Sequence, residues 1–432
     1  MDFLLKNARI INLDPAKIED ADIRIADGVI AECSKSLRPK KDDEVVDLSG
    51  KYCLPGFVNS HTHLYSSLSR GVPSPKTAPR NYIEMLQNVW WKLDEAQDEE
   101  TIYYSALVGA IEAVKFGTTA LIDHHASSNH IRGSLDLIKA GISKVGLRGI
   151  LCYETSDRGG LRKRDLALAE NERFVVENAN NPRFRGTMGA HASFTLCNDS
   201  LRKIGELASM YDCGVHIHVA EDKADVWDSV ENYNSDIVSR LADLGILRKK
   251  SILAHSVHLK QKQFAMIEKS GAWIVHNPRS NMIHAVGCAP LNLYGKHSAL
   301  GTDGFPADMF DEAKFGYFRN ADSDHRVEFS HLPALLNNGQ KLASEFYGRS
   351  FGTLTKDAPA DIVVLEYNSP TPCTHQNITG HFLFGMNSTM VQHVMIDGTW
   401  VVWNRQLAGI DEDAVMEKAR NVAAKLWKKM NK

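Results

Sequence analysis

CLPGFVNSHTH (53–63) decides how this chain is read: an apolar run that ends on two histidines separated by one residue. The run reads as a buried β-strand. A strand alternates its side chains, so His61 and His63 project to one face and can hold one ion together. Three later runs end in the same way, GVHIH on His218, SILAH on His255 and HSALGTD on Asp303. A lone histidine at a strand end is ordinarily structural, and H-x-H by itself is a weak signal. Separate strand ends that each finish on a ligand-type residue carry more weight. They imply imidazoles and a carboxylate delivered from the C-terminal ends of successive strands, a site for Zn²⁺ or a similar divalent ion. That end of the strands is where (β/α)₈ barrels keep their chemistry.

Outward from these runs, the middle of the chain alternates strand-like and helical segments at the spacing of βα units. TTALIDHH, GLRGILCYE, RGTMGAHA, AWIVHN and SALGTDG are strand candidates, and DEETIYYSALVGAIEAVKFG is a helix ending at Gly117. No G-x-G-x-x-G opens a helix and no P-loop is present, which removes the main support for a doubly wound nucleotide-binding sheet. Both chain ends are β-rich instead. FLLKNARIINL and ADIRIADGVIAEC, with a turn at Asp27-Gly28, match ADIVVLEY and MVQHVMIDGTWVVWNRQ, with a turn at Asp397-Gly398. The expected fold is α/β: a (β/α)₈ TIM barrel over residues 56–354, and a small β-sandwich built from 1–55 and 355–432. The closing helix, DEDAVMEKARNVAAKLWKKM, has acids in its first turn and lysines in its last.

Composition excludes several classes of function. Fifty basic against 53 acidic side chains, a net charge of −3, leave no footprint for nucleic acid or a membrane surface. No segment approaches the roughly 20 apolar residues of a spanning helix, and Asp2, Lys6 and Arg9 break the N-terminal run where a signal peptide would be apolar. Seven cysteines, an odd number without a C-x-x-C pair, fit reduced thiols in the cytoplasm.

The residues themselves suggest hydrolysis. A bound divalent ion lowers the pKa of its water from 15.7 towards ~7, and Asp303 is placed to orient the resulting hydroxide towards an sp² carbon. Glu221, three residues past His218, would start the loop beside the ion, where a carboxylate can take the water's proton and pass it to a leaving nitrogen. His255 reads either as a fourth imidazole ligand or as a donor that polarises the electrophile. Trp90, Trp91, Phe194 and Phe305 lie beside these motifs and could sandwich a flat ring, although aromatics at such spacing are more often core.

The motifs PGFVNSHTHLYSSLSRG (55–71), GTTALIDHH (117–125), GAHASF (189–194), VHIHVAE (215–221), LAHSVHL (253–259), VHNPRSN (275–281) and LGTDG (300–304) resemble the amidohydrolase superfamily over nearly the whole chain. The closer resemblance is to the branch of nucleobase, adenosine-derivative and triazine aminohydrolases that includes guanine deaminase and the chlorohydrolases, and within it to the SsnA-type aminohydrolases. The resemblance implies one divalent ion, zinc or iron, on His61, His63, His218 and Asp303, with Glu221 as proton shuttle and His255 assisting. No lysine near TMGAHAS could become the carboxylated bridge of the binuclear members, which favours a single ion. It further implies substrate contacts at His191 and at Asp94. Asp94 replaces the longer Glu or Gln of relatives and could equally be a helix N-cap before Glu95. Of His124 and His125 only one can face the barrel mouth, and His125 is the candidate contact. Asn277, Arg279 and Asn281 read as residues that order the site. The implied reaction is deamination of a purine-like or other N-heterocycle by attack of metal-bound hydroxide on a C=N carbon. Ring opening of a cyclic amide or amidine and dechlorination of a triazine are the alternatives, and a barrel scaffold without catalysis is disfavoured. A homodimer is expected, as in relatives.

Overall fold

In the computed structural model, which describes residues 2–75 and 77–431, the middle of the chain forms two parallel sheets. One joins Phe57–Thr62, Thr118–His125, Arg148–Tyr153 and Phe184–Gly186; the other joins Met188–Ala192, Val215–Val219, Ile252–His255, Trp273–His276 and Ser298–Leu300. These are the runs read from sequence as strands, with helices between them. The sheets meet at two seams. Thr62 bridges to Asp303 and Thr155 to Ala190, and the Thr302 and Asp303 amides both donate to the His61 carbonyl.

Val58, Ala120, Ile122 and Ile150 of the first sheet share one buried cluster with Ile252, Trp273, Val275 and Ala299 of the second. Leu342, Ala343 and Tyr347 of helix His331–Tyr347 close it. The opposite faces, including Leu121, Leu151, Ile217 and Leu253, pack in the larger helix-covered core. Both faces of these parallel strands are therefore buried, which is why they read as continuous apolar runs rather than alternating ones. Pairing of the first two strands shifts register between Asn59 and Thr62. Such a bulge re-aims side chains: it lets Val58 face the inner cluster while His61, three residues on, faces the same interior.

The two chain ends meet in one nine-stranded sheet, where Ile362–Leu365 pairs antiparallel with Tyr52–Pro55 and Asp2–Leu13 lies beyond. Both expected turns form, with Asp27 and Gly28 at φ 50° and 77° and Asp397 and Gly398 at φ 46° and 71°. The turns pack against each other: a Cβ on Gly28 would stand 3.0 Å from the Asp397 carbonyl oxygen. Under this contact the fully buried Arg148, at the start of its strand, forms ion pairs with Asp361 and Asp397 and so ties the terminal sheet to the parallel ones. No helix among the described residues is long and apolar enough to cross a membrane.

Candidate metal centre and active site

His61, His63, His218, His255 and Asp303 converge at the C-terminal ends of the parallel strands. His63 Nε2 lies 3.1 Å from His218 Nε2 and 3.1 Å from Asp303 Oδ1; His61 Nε2 is 3.8 Å from the same carboxylate oxygen. His255 Nε2 is 3.6 Å from Asp303 Oδ2 and 3.4 Å from Glu221 Oε2. Each ring is held by its other nitrogen. His63 Nδ1 donates to the His124 carbonyl at 2.6 Å and His218 Nδ1 to the His191 carbonyl at 2.7 Å. His61 Nδ1 meets His216 Nε2 at 2.8 Å, and His255 Nδ1 meets Asn281 Oδ1 at 2.8 Å. With the proton on Nδ1, the Nε2 lone pair is what each imidazole presents to the centre.

The residues fit a divalent cation on two further observations. The Nε2 atoms of His61 and His255 are buried and have no hydrogen-bond partner, a costly state for a nitrogen that nothing coordinates. Burial and the neighbouring imidazoles hold His61 and His218 well below the ordinary histidine range, so both are neutral, the ligand form. At His63 burial is outweighed by Asp303, which raises it to about 9, a proton that a bound cation would displace. For Asp303, burial is outweighed by His63, His255 and His61, which keep it ionised. The backbone here is held in sparsely populated conformations. Ala220, His255, Ser256 and Asp303 all have positive φ, between 48° and 73°, the kind of strain that a surrounding site maintains.

Glu221 is buried beside the cluster. It is not a helix cap: Asp222 caps helix Lys223–Tyr233 by accepting from the Ala224 amide. The Glu221 carboxylate accepts from Tyr82 Oη at 2.6 Å and from His284 Nδ1 at 3.1 Å. Burial would raise its pKa, but His255 and His284 outweigh that and lower it.

A cavity of about 340 Å³ opens over this centre, lined among others by Tyr82, Trp90, Trp91, Asp94, His191 and Phe305. Phe194 does not line it but stacks edge-on against His191 at 5.8 Å. Asp94, expected as a substrate contact, sits inside helix Trp91–Ala96 and is only 3% exposed, so the alternative N-cap reading does not hold. The cap of the following helix is Asp98, in a capping box with Thr101. Arg158 donates to Asp94 Oδ2 at 3.2 Å and to Glu154 Oε1 at 3.0 Å, and stacks over Trp91. Burial and the nearby Glu154 push Asp94 up to about 7 against the pull of Arg158. Burial takes His191 down to about 4, and its Nε2 points towards Glu154 at 3.9 Å.

His125 is a second correction. It is buried against Ser127, Tyr65 and Tyr153 and does not line the cavity. His124 shares the inward face of Ala120 and Ile122 and packs against His61, His63 and His218. Sequence reasoning missed Glu154, Tyr82 and His284. Glu154 follows the strand Arg148–Tyr153 directly, the same strand-end signal that marked the histidines. Of the residues read as ordering the site, Asn281 holds His255, and Arg279 pairs with the buried Glu312.

The sequence pattern of the Amidohydrolase family matches residues 52–401. A 5-methylthioadenosine/S-adenosylhomocysteine deaminase of Thermococcus sibiricus is 29% identical, over 93% of this chain and 94% of its own length. A 5′-deoxyadenosine deaminase of Methanobrevibacter smithii is 30% identical, over 98% of both chains. The crystal structure of a Xanthomonas campestris adenosine deaminase with bound zinc superimposes with a TM-score of 0.87 over 99% of both chains, at 22% identity, and shares the fold. The protein belongs to the amidohydrolase family.

Proposed function

We propose that the protein is a metal-dependent aminohydrolase that removes the exocyclic amino group of an adenosine derivative as ammonia. The observation that carries this reading is the convergence of His61, His63, His218 and Asp303 with Glu221 beside them, under a cavity walled by aromatic side chains. In it, His61, His63, His218 and Asp303 hold one divalent ion, zinc by the precedent of the Xanthomonas enzyme. The ion, when bound, makes water a nucleophile at neutral pH. Glu221 accepts a proton from the attacking water and delivers it to nitrogen, so that water and an amidine carbon become a carbonyl and ammonia. His255, held by Asn281, is aimed at the same space as Asp303 and Glu221 and orients the reacting groups. His191 and Asp94 contact the substrate, and Trp90, Trp91 and Phe305 flank its ring.

The architecture belongs to the same reading. The two seams and the shared inner cluster support a (β/α)₈ barrel over 56–354. A cluster holding Phe3, Ile23 and Ile30 together with Ile362, Val364 and Met395 supports a β-sandwich from 1–55 and 355–432. Seven cysteines without a disulfide suit the cytoplasm. Exposed Phe318, Phe329 and Phe384, packed ring on ring, support a homodimer that would cover them.

Metal-loaded protein should release ammonia from at least one of 5′-deoxyadenosine, 5′-methylthioadenosine, S-adenosylhomocysteine and adenosine. Silence across that panel, at full metal content, would refute the substrate class.

Asp94→Asn and His191→Ala should keep metal and fold while shifting the preference among these compounds. A hydrogen bond to a charged group is worth ~1.5–3 kcal/mol, so ratios of kcat/KM should move roughly 10- to 100-fold. A uniform fall across all substrates would mean that the two residues only maintain the cavity wall.

A further inference from the structure

Glu221 has both carboxylate oxygens engaged by residues that come from different parts of the chain. Tyr82 begins the short helix Tyr82–Met85, part of the segment that lies over the cavity, and its hydroxyl donates to Oε2 at 2.6 Å. His284 follows helix Pro278–Ile283 and donates from Nδ1 to Oε1 at 3.1 Å. The two rings meet edge to face at 5.9 Å. The same helix presents Ser280 to Asp303 and Asn281 to His255, so one turn of chain orders three members of the site at once.

We propose that Tyr82 and His284 are positioning residues that clamp the Glu221 carboxylate in the one orientation from which it exchanges protons with water and substrate. The inference rests on the reading of Glu221 as the proton carrier. A glutamate side chain has three rotatable bonds, and a free one spreads over many rotamers. With a donor on each oxygen, the remaining acceptor direction of Oε2 is left facing His255 Nε2 at 3.4 Å, towards the centre. A purely apolar lining would explain neither donor: phenylalanine and leucine would wall the cavity equally well. Burial and Glu221 push the Tyr82 phenol well above its ordinary range, which keeps it a donor. At His284 burial is outweighed by Glu221, which raises the imidazole and favours the proton on Nδ1.

The test compares Tyr82→Phe, His284→Ala and His284→Asn, each in the natural chain and in a Glu221→Gln background. Ammonia release is measured with the adenosine derivative turned over fastest, and metal content is measured alongside. A misplaced catalytic group costs on the order of 10²-fold per ångström. Tyr82→Phe and His284→Ala should therefore lower kcat roughly 10- to 100-fold, with metal retained and KM little changed. His284→Asn restores a neutral donor near Nδ1 and should recover most of the loss. In the Glu221→Gln background the same substitutions should cost less than about twofold, because the group that they position no longer carries a proton. Equal losses in both backgrounds, or a rise in KM with kcat intact, would overturn the clamp. Natural kcat in the clamp variants beside an inactive Glu221→Gln would overturn it as well, leaving the role of Glu221 standing. Full turnover by Glu221→Gln would overturn that role and the clamp together.

Discussion

His61→Ala/His63→Ala is expected to lose its bound metal and all measurable ammonia release. The two side chains supply two of the Nε2 atoms that converge on Asp303, and His61 Nε2 has no other partner to fall back on. Asp303→Asn provides a gentler version, in which the shape stays and the charge that attracts a cation is removed. Stability should follow the metal. An ion bound only by the folded protein stabilises it by about 4 kcal/mol at a free concentration 1,000 times its Kd. A chelator should accordingly lower the melting temperature of the natural protein and leave that of the double variant unmoved. Metal measured by plasma emission, melting by calorimetry and activity by ammonia release check the three parts. Near-stoichiometric metal in the double variant would place the ion elsewhere and sink the assignment.

The ease with which these residues are read from sequence has a physical origin. A strand buried on both faces admits few polar residues, so a histidine or aspartate closing an apolar run stands out, as His61, His218, His255 and Asp303 do. Glu154 carries the same signal at the end of GLRGILCYE and lines the cavity. The Asp27-Gly28 and Asp397-Gly398 turns were legible for a similar reason, since only a few residues tolerate positive φ in pairs. What sequence could not settle was parity. Thr118–His125 is apolar on both faces, so nothing in TTALIDHH says whether His124 or His125 points inward; the inward packing of Ala120 and Ile122 decides it. Asp94 was ambiguous because WWKLDEAQDEE contains several acids near a helix start, and the cap falls to Asp98 only through its reciprocal bonds with Thr101. Tyr82 and His284 gave no signal at all. Tyr82 is 139 residues from Glu221 in sequence and His284 is 63, and such contacts exist only once the strands are assembled.

Glu221→Gln should keep its metal and its fold and lose turnover by ~10²–10⁴-fold, the usual contribution of a general acid–base group. The substitution suits the site sterically. The amide oxygen can still accept from His284 Nδ1 and the NH2 can donate to Tyr82 Oη, so only the Tyr82 hydroxyl proton must turn to a new acceptor, where alanine would strand both neighbours. What the amide cannot do is bind a proton at neutral pH and release it to a leaving nitrogen. Metal retention is the discriminating measurement, because Glu221 Oε2 lies close enough to His255 and Asp303 for the three to form a candidate ligand set of their own. If the ion sat among Glu221, His255 and Asp303, the glutamine variant would lose metal and activity together, and His61→Ala/His63→Ala would not. If it sits among His61, His63, His218 and Asp303, the two variants separate cleanly: one is metal-free and inactive, the other metal-replete and slow. Water exchange and substrate binding would then persist in the glutamine variant, so its KM should stay near that of the natural protein while kcat falls, the pattern of a group whose contribution is made in the transition state.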